Sequence, residues 1–129
     1  MITVSRRAAG PWKTFRSNRG FMKNRERLLI TGVSGLLGNN FACYFRDKYE
    51  ILGLYNSHPV TIRGIYSEKC DISDENSVRE SIDWFNPSII IHCASLTDID
   101  QCEMNKEQTR KINVLATKII VGSISDKNI

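Results

Sequence analysis

The 129-residue sequence lacks several features that would place it in common functional classes. No apolar run approaches the roughly 20 residues that a membrane-spanning helix needs, and the first residues lack the apolar stretch of a secretory signal. The four cysteines form no Cys-x-x-Cys pair and have no nearby histidine doublet; they are Cys43, Cys70, Cys93 and Cys102. We therefore expect no membrane association, no bound metal, and free thiols in the reducing cytoplasm.

Acidic residues are almost absent from the start of the chain. Residues 1–27 contain eight Lys or Arg and a single acid, Glu26, whereas residues 28–129 contain ten basic and thirteen acidic residues. The overall net charge of +4 therefore comes from the first 27 residues, and the remainder has no basic excess to bind nucleic acid. We expect 1–27 to be a basic, disordered leader and 28–129 to be one domain.

The origin of this leader has two explanations. Residues 1–21 show no helical or strand periodicity, and Gly10-Pro11 interrupts any helix that starts earlier. Met22 lies six residues before the first apolar strand, where a natural start is expected, so 1–21 is a non-native extension in one hypothesis. In the other it is a mitochondrial-type transit peptide, because it is rich in Arg and free of acids.

From Leu28 onward, short apolar runs alternate with segments of helical spacing. The apolar runs predict strands over 28–30, 50–55, 64–70 and 88–93, and the spacing predicts helices over 36–48, 73–85 and 112–120. Ser73 is the expected N-cap of the second helix, and Asn86-Pro87 ends it. The continuous run over 88–93 is typical of a central parallel strand. This order predicts an α/β fold, an incomplete Rossmann-type doubly wound parallel sheet of about four strands in the order 3-2-1-4.

A glycine-rich stretch, Thr31–Gly38, joins the first strand to the first helix with the spacing GxxGxxG. Gly32 permits a sharp turn, Gly35 lets a pyrophosphate approach the backbone, and Gly38 lets the helix pack closely on the strand. The helix N-terminus attracts phosphate through its free N–H groups, to which Ser34 adds a hydroxyl. No Lys-Ser/Thr follows the last glycine, which excludes a Walker A loop. A glycine-rich turn without ligand is the alternative, but the surrounding βαβ pattern favours dinucleotide binding.

The second strand is not followed by an acid. NAD-binding domains use an Asp or Glu there to bind the ribose hydroxyls, yet no acid occurs between Ile51 and Ser67. The segment contains neutral or basic side chains instead, namely Asn56, Ser57, His58 and Arg63. These tolerate a 2′-phosphate better, so NADP(H) is slightly favoured over NAD(H). A polar loop with no part in cofactor choice explains the same residues equally well.

These residues resemble a known family. Residues 28–38 look like the first βα unit of extended short-chain dehydrogenase/reductases, and several later motifs are similar to the dTDP-4-dehydrorhamnose reductase branch. Those motifs are Asp71-Ile72 and the segments 86–94, 96–103 and 113–117. The resemblance covers 28–129. It implies the NAD(P)-binding part of a sugar-nucleotide oxidoreductase, which in a longer protein transfers hydride to a 4-keto-deoxysugar nucleotide.

The resemblance also implies roles for individual residues. The pyrophosphate is held by Gly32, Ser34, Gly35, Leu36, Leu37 and Gly38. The adenine lies beside Asp71 and Ile72, the nicotinamide ribose on Cys93, Ala94 and Ser95, and the nicotinamide side of the cleft faces Thr97. Asn113 is implied as the helix asparagine that supports the active site. The alternatives are that Asp71 only precedes a helix and that Asn113 is a surface residue, and we expect His92 to pack on its strand without a catalytic role.

The catalytic pair of this family is missing from the sequence. Its reductases donate a proton from a Tyr that is followed four residues later by a Lys. Tyr44 precedes Lys48 at this spacing, but both belong to the first predicted helix, which is the wrong element. We therefore assign no catalytic residue and expect a domain truncated before the catalytic region, which binds the nucleotide sugar only within a longer protein. Its sheet would expose an unpaired strand edge, so a homodimer is possible. The alternative function is a non-catalytic, dinucleotide-binding regulatory subunit.

Overall fold

A computed structural model of the protein describes residues 25–125, which contain a parallel sheet of four strands. The strands are β1 (Arg27–Thr31), β2 (Glu50–Tyr55), β3 (Tyr66–Lys69) and β4 (Ile89–His92). All neighbouring strands are parallel, and their order across the sheet is β3-β2-β1-β4. The predicted fold class and strand order are therefore confirmed. The predictions for 1–21 and for a start at Met22 lie outside the described residues.

Within the part of the chain that the structure describes, five α-helices and one π-helical turn accompany the sheet. The helices are α1 (Leu36–Phe45), α2 (Glu75–Phe85), α3 (Ile99–Met104), α4 (Lys106–Arg110) and α5 (Ala116–Ile124), and the π-helical turn spans Lys111–Leu115. The helix predicted over 112–120 corresponds to this turn and the start of α5. The sequence did not reveal α3 and α4, because these short helices bury no residue and so have no apolar face. Within 25–125, no helix combines the length and apolar character needed to cross a bilayer.

The sheet separates two hydrophobic cores. Successive side chains of a strand point to opposite faces, so Leu29 of β1 joins one core with α2 and α5 while Leu28 and Ile30 join the other with α1. Leu52 and Ile51 of β2 divide in the same way. Burial on both faces explains why β1 and β2 are almost continuously apolar in sequence.

The apolar run over 88–93 is typical of a central strand, whereas the predicted order 3-2-1-4 places the fourth strand at the edge, and the structure agrees with the order. β4 pairs with β1 and lies at the edge of the four-stranded sheet, and Ile89 at its start is 36% exposed. An apolar run indicates that both faces of a strand contact apolar groups. It contains no information on how many strands lie beside it, which explains the difference.

The N-cap of the second helix lies one residue later than the predicted Ser73. Asp74 is the N-cap of α2 and accepts a hydrogen bond from the backbone N–H of Asn76 at 3.3 Å. Ser73 instead donates its backbone N–H and its hydroxyl to Oδ1 of Asp71, at 2.9 and 2.7 Å. The helix ends at Asn86, whose backbone is left-handed with φ of 48°, as the Asn-Pro pair led us to expect. Ser73 and Asp74 are both favourable N-cap residues, and Ser73 is hydrogen-bonded to Asp71 whereas Asp74 caps the helix.

Two arginines at the end of the predicted leader contact the domain. Arg27 is the first residue of β1, and its Nη1 donates to the carbonyl oxygen of Phe85 at 2.8 Å. Nη1 of Arg25 donates to the carbonyl oxygen of Arg46 at 3.2 Å. These bonds join the start of β1 to the ends of α2 and α1.

Candidate functional site

An open cleft of about 250 Å³ lies where the carboxyl ends of the four strands meet. Its walls come from the turn after β1 and from the segments that follow β2, β3 and β4. The chain leaves β1 between β2 on one side and β4 on the other, so the strand order reverses at this point. Ligands of open α/β sheets bind at such reversal points.

The glycine turn after β1 is shaped by close contacts between backbone atoms. Gly32 has φ of 68°, and a Cβ on it would lie 2.7 Å from the backbone nitrogen of Ala94. A Cβ on Gly38 would collide with the carbonyl oxygen of Gly32. The N–H of Gly35 donates to that same oxygen at 2.9 Å, which closes the turn. Side chains at positions 32 and 38 would therefore force the strand, the turn and α1 apart.

The helix α1 begins at the rim of the cleft. Gly35 precedes its first residue and lines the cleft, and no side chain in the described part of the chain caps the helix there. The first N–H groups of a helix have no partner within the helix, so they are available to an anion. Leu36 and Leu37 are 85% and 57% exposed and do not line the cleft, and Gly38 packs beneath the turn. These three predicted residues therefore do not line the cleft.

The segments after β2 and β3 form the next part of the cleft. Asn56 and Ser57 line it from exposed positions after β2, and Asp71 and Ile72 line it after β3. Sequence reasoning did not assign Leu54, Tyr55 and Cys70 to the site, although they also line the cleft. His58, named from the sequence as a side chain that tolerates a 2′-phosphate, lines the cleft as well.

The carboxylate of Asp71 is exposed and hydrogen-bonded to Ser73, so Asp71 both faces the cleft and precedes a helix. The neighbouring thiol has a different environment. Burial raises the pKa of Cys70 to about 11. Cys70 is thus a protonated, apolar part of the wall at neutral pH.

A buried hydroxyl organises the segment after β4. Thr31 is 1% exposed, and its Oγ1 accepts the backbone N–H groups of Cys93 and Ala94 at 3.1 and 3.2 Å. The same oxygen lies 2.6 Å from Nδ1 of His92. Cys93, Ala94 and Ser95 line the cleft, as does Leu96, which was not predicted. The role of Thr31 was missed because its partners follow it by 61 to 63 residues.

Asn113 holds the next residue of this loop by two hydrogen bonds. Its Oδ1 accepts the N–H of Leu96 at 2.8 Å, and its Nδ2 donates to the carbonyl oxygen of Leu96 at 2.8 Å. Asn113 lies in the π-helical turn, a rare conformation that often occurs at functional sites. Neither Asn113 nor Thr97 lines the cleft, whereas Ile112 beside Asn113 does. Asn113 is therefore exposed, but both polar atoms of its side chain are hydrogen-bonded.

Burial shifts the pKa values of two neighbouring groups at the end of β4. It lowers the pKa of the His92 imidazole below its usual 6.5 and raises the pKa of the Cys93 thiol. Both groups are therefore neutral at pH 7. Within 25–125, no three His, Cys, Asp or Glu side chains cluster as metal ligands do.

Comparison with known families connects this geometry to relatives. The family model described as the RmlD substrate binding domain matches residues 26–129. The chain belongs to this family. The resemblance to dTDP-4-dehydrorhamnose reductases is confirmed by a solved structure described as a hypothetical dTDP-4-dehydrorhamnose reductase from Sulfolobus tokodaii. That structure is 36% identical with a TM-score of 0.69, and the match covers 77% of this chain and 35% of the other.

Two curated relatives of this family differ in what their names describe. A probable low-salt glycan biosynthesis reductase of Haloferax volcanii is 31% identical over 101 residues, which cover 78% of this chain and 33% of the relative. The methionine adenosyltransferase 2 subunit beta of Danio rerio is 36% identical over 94 residues, 70% of this chain and 27% of the relative. The chain thus spans about a quarter to a third of the length of the curated relatives it matches.

A solved neighbour was determined with a nicotinamide dinucleotide. The dTDP-4-dehydrorhamnose reductase of Bacillus anthracis, in complex with NADP, is 26% identical with a TM-score of 0.63 and matches 78% of this chain and 32% of its own. The Bordetella bronchiseptica enzyme WbmG was solved with NAD, but at 21% identity it shows only that the fold is shared.

Proposed function

We propose that residues 26–129 bind a nicotinamide dinucleotide as the cofactor-binding part of a sugar-nucleotide reductase of the dTDP-4-dehydrorhamnose reductase type. The observation that carries this proposal is the cleft itself. It lies at the reversal of strand order and brings the glycine turn together with the segments after β2, β3 and β4. A dinucleotide bound across such a reversal point contacts all of these segments.

The glycine turn and the start of α1 are the proposed pyrophosphate site. Without side chains at Gly32 and Gly35, the wall of the cleft there is backbone, which an anion can approach closely. The hydroxyl of Ser34 and the first N–H groups of α1 are donors of the kind a pyrophosphate accepts. In this proposal Leu36 and Leu37 contribute their N–H groups and Gly38 keeps the helix close to the strand.

The segments after β2 and β3 are the proposed adenosine site. Asp71 has a carboxylate that can accept the adenine amino group while Ile72 contacts the ring. Asn56 and Ser57 are neutral where NAD-binding domains have an acid, and His58 also lines the cleft beside them. Because none of the three repels a 2′-phosphate, we propose NADP(H) as the preferred cofactor.

The segment after β4 is the proposed nicotinamide end. Cys93, Ala94 and Ser95 are small residues that leave room for the ribose above the strand ends. When bound, the nicotinamide supplies the hydride of a reductase reaction. The proposed contribution of this chain is to hold that end. Asn113 fixes the loop through Leu96, and in this proposal Thr97, the next residue, faces the nicotinamide side when the cofactor is bound. The groups that donate the proton and hold a 4-keto-deoxysugar nucleotide belong to the longer protein in this proposal.

Cofactor binding is tested by adding NADPH or NADH to the 129-residue chain and recording nicotinamide fluorescence and the thermal unfolding midpoint. A ligand that binds the folded state alone must raise that midpoint. We expect both cofactors to raise it, with NADPH effective at lower concentration. No response to either cofactor would refute the proposed binding, and equal responses would refute the preference for NADPH.

A pair of variants tests the role of Asp71. Asp71→Ala removes both the proposed adenine acceptor and the bonds to Ser73, whereas Ser73→Ala removes one of the same local bonds, the hydroxyl bond, and leaves the carboxylate. We expect Asp71→Ala to raise the NADPH dissociation constant about tenfold, the loss of one charged hydrogen bond, and Ser73→Ala to change it less than twofold. If both variants change stability alone, Asp71 acts only at the start of α2.

The zebrafish relative supports a second candidate, a non-catalytic regulatory subunit that binds a dinucleotide. Its name describes a subunit of another enzyme, and its identity to this chain is 36%. The whole protein separates the two candidates. NADPH oxidation with a dTDP-4-keto-6-deoxysugar favours the reductase, whereas NADPH binding without turnover and a stable partner in co-purification favour the subunit.

A further inference from the structure

We infer that His92 is a positioning residue, whose Nδ1 accepts the hydroxyl proton of Thr31 and so turns that oxygen toward the backbone N–H groups of Cys93 and Ala94. The hydrogen bonds on which this inference rests involve no cofactor, whereas its consequence for NADPH binding rests on the proposed function. His92 itself does not line the cleft. It acts through Thr31 on two residues that do.

The inference follows from counting protons and lone pairs on one atom. A threonine hydroxyl has one proton to donate and two lone pairs to accept with. Oγ1 of Thr31 has three partners: the N–H of Cys93 at 3.1 Å, the N–H of Ala94 at 3.2 Å and Nδ1 of His92 at 2.6 Å. The two backbone groups are donors and use both lone pairs. The hydroxyl proton must therefore point to Nδ1, which has to be unprotonated.

This arrangement specifies one tautomer of His92. A neutral imidazole with an acceptor at Nδ1 has its proton on Nε2. If Nδ1 carried a proton, Oγ1 of Thr31 would face three donors with two lone pairs, and its own proton would point away from all three. One N–H of the β4 segment would then lose its bond to the hydroxyl. The N–H of Cys93 also reaches the carbonyl oxygen of Thr31 at 3.2 Å, so Ala94 depends most on the hydroxyl.

The surroundings of His92 favour the same state. Thr31 is opposite His92 in the register of β1 and β4, and burial lowers the pKa of the imidazole. The titratable side chains that line the neighbouring cleft are Tyr55, His58, Cys70, Asp71 and Cys93. Of these, Cys93 is next to His92, and its pKa is raised, so it brings no negative charge that would favour a protonated imidazole.

The tautomer is measured directly by nitrogen-15 NMR of the ring nitrogens in the unsubstituted 129-residue chain. We expect His92 to show a bare Nδ1 and a protonated Nε2 at pH 7. His58, the other of the two histidines, is exposed and provides the internal reference. A protonated Nδ1 on His92 would overturn the inference without any variant or cofactor.

A matched pair of variants tests whether the hydroxyl does the positioning. Thr31→Val keeps the branched shape and removes the hydroxyl, whereas Thr31→Ser keeps the hydroxyl. Because the lost bond stabilises the neutral imidazole, we expect Thr31→Val to raise the pKa of His92 by about 0.5–1 unit, with Thr31→Ser restoring it. We also expect Thr31→Val to raise the NADPH dissociation constant about tenfold and Thr31→Ser less than twofold. An unchanged His92 pKa in Thr31→Val would contradict the inference.

The NMR measurements on His92 and the measurements of NADPH binding test two different claims. If the unsubstituted chain does not bind NADPH, the proposed function is wrong, while the tautomer and the pKa still decide the assignment of His92. If NADPH binds equally well to the unsubstituted chain and to Thr31→Val, the positioning role is wrong and the proposed cofactor site stands.

Discussion

On one side of the cleft, the β1–α1 turn is shaped by backbone atoms in close contact, whereas the loop after β4 is held by polar side chains. Cβ atoms at Gly32 or Gly38 would overlap neighbouring backbone. Across the cleft, Thr31 and Asn113 hold the loop through hydrogen bonds to residues 17 to 63 positions away. The glycine side of the cleft, which is the β1–α1 turn, requires the absence of side chains at Gly32 and Gly38. The β4 side, which is the loop after β4, requires the hydrogen-bonding side chains of Thr31 and Asn113.

This difference predicts how each side tolerates change. Steric exclusion at a glycine cannot be replaced by another residue, because any Cβ occupies the forbidden space. A hydrogen bond can be replaced by any group with the same donor or acceptor, or by water where the site is exposed. We therefore expect substitutions on the glycine side to be strongly destabilising, and substitutions on the β4 side to have smaller effects that depend on which hydrogen bond is kept.

The largest effect is expected for Gly32→Ala. The added Cβ would lie 2.7 Å from the backbone of Ala94, and φ of 68° is unfavourable for alanine. The left-handed conformation costs about 1–2 kcal/mol and overpacking about 1–3 kcal/mol, so we expect a loss of about 2–5 kcal/mol in the free energy of unfolding. Urea denaturation followed by circular dichroism measures it. A loss below about 1 kcal/mol would show that the two sides tolerate change alike.

The reactivity of the thiols at the strand ends, Cys70 and Cys93, provides a further test of this comparison. The thiolate is the reactive form, and raising the pKa of Cys70 from 9.0 to about 11 lowers its thiolate fraction at neutral pH about 100-fold. The raised value favours the folded state below pH 9, and this contribution is lost as the pH rises toward 11.

Iodoacetamide labelling read by mass spectrometry should therefore be fastest at exposed Cys43, slower at half-buried Cys93 and slowest at Cys70. Labelling of Cys70 should increase about tenfold per pH unit up to about pH 11. Labelling of Cys70 as fast as that of Cys43 would contradict its burial.

A smaller effect is expected for Asn113→Ala on the β4 side. The variant removes both bonds to Leu96, but water can replace part of each because Asn113 is exposed. We expect a loss of about 1 kcal/mol in stability, faster hydrogen exchange at the N–H of Leu96 and faster labelling of Cys93.

Asn113→Asp is the matched control, because the carboxylate keeps an acceptor for the N–H of Leu96 and loses the donor. It should protect that N–H while leaving the carbonyl of Leu96 without its partner. Equal exchange of the N–H of Leu96 in the two variants and the unsubstituted chain would show that Asn113 does not hold the loop.

The smallest effect, and the opposite sign, is expected for Gly122→Ala. Gly122 is an exposed residue of α5 with open space for a Cβ, whose nearest contact is Nη2 of Arg79 at 4.0 Å. Alanine favours a helix over glycine by about 1 kcal/mol, so we expect a gain of about 0.5–1 kcal/mol in urea denaturation. If Gly122→Ala destabilised the protein instead, the loss of stability in Gly32→Ala could not be attributed to the particular contacts of Gly32.

Local patterns in the sequence were enough for the strands, the strand order and the glycine turn. The spacing of Gly32, Gly35 and Gly38 describes a turn that neighbouring residues make among themselves, and alternation of apolar runs with helical segments leaves few topologies. Ten of the fifteen predicted cofactor residues line the cleft: Gly32, Ser34, Gly35, Asn56, Ser57, Asp71, Ile72, Cys93, Ala94 and Ser95. Their roles in binding remain predictions.

Only the tertiary structure decided which side chains meet across the sheet. The contacts of Thr31 with His92 depend on the register of β1 and β4, and the bonds of Asn113 with Leu96 depend on a π-helical turn that no apolar periodicity indicates. The exposure of Leu36 and Leu37 likewise depends on packing. The sequence by itself determined where the cleft forms, because the turn is local. Register and packing determined what holds its β4 side, because those partners are distant in the chain.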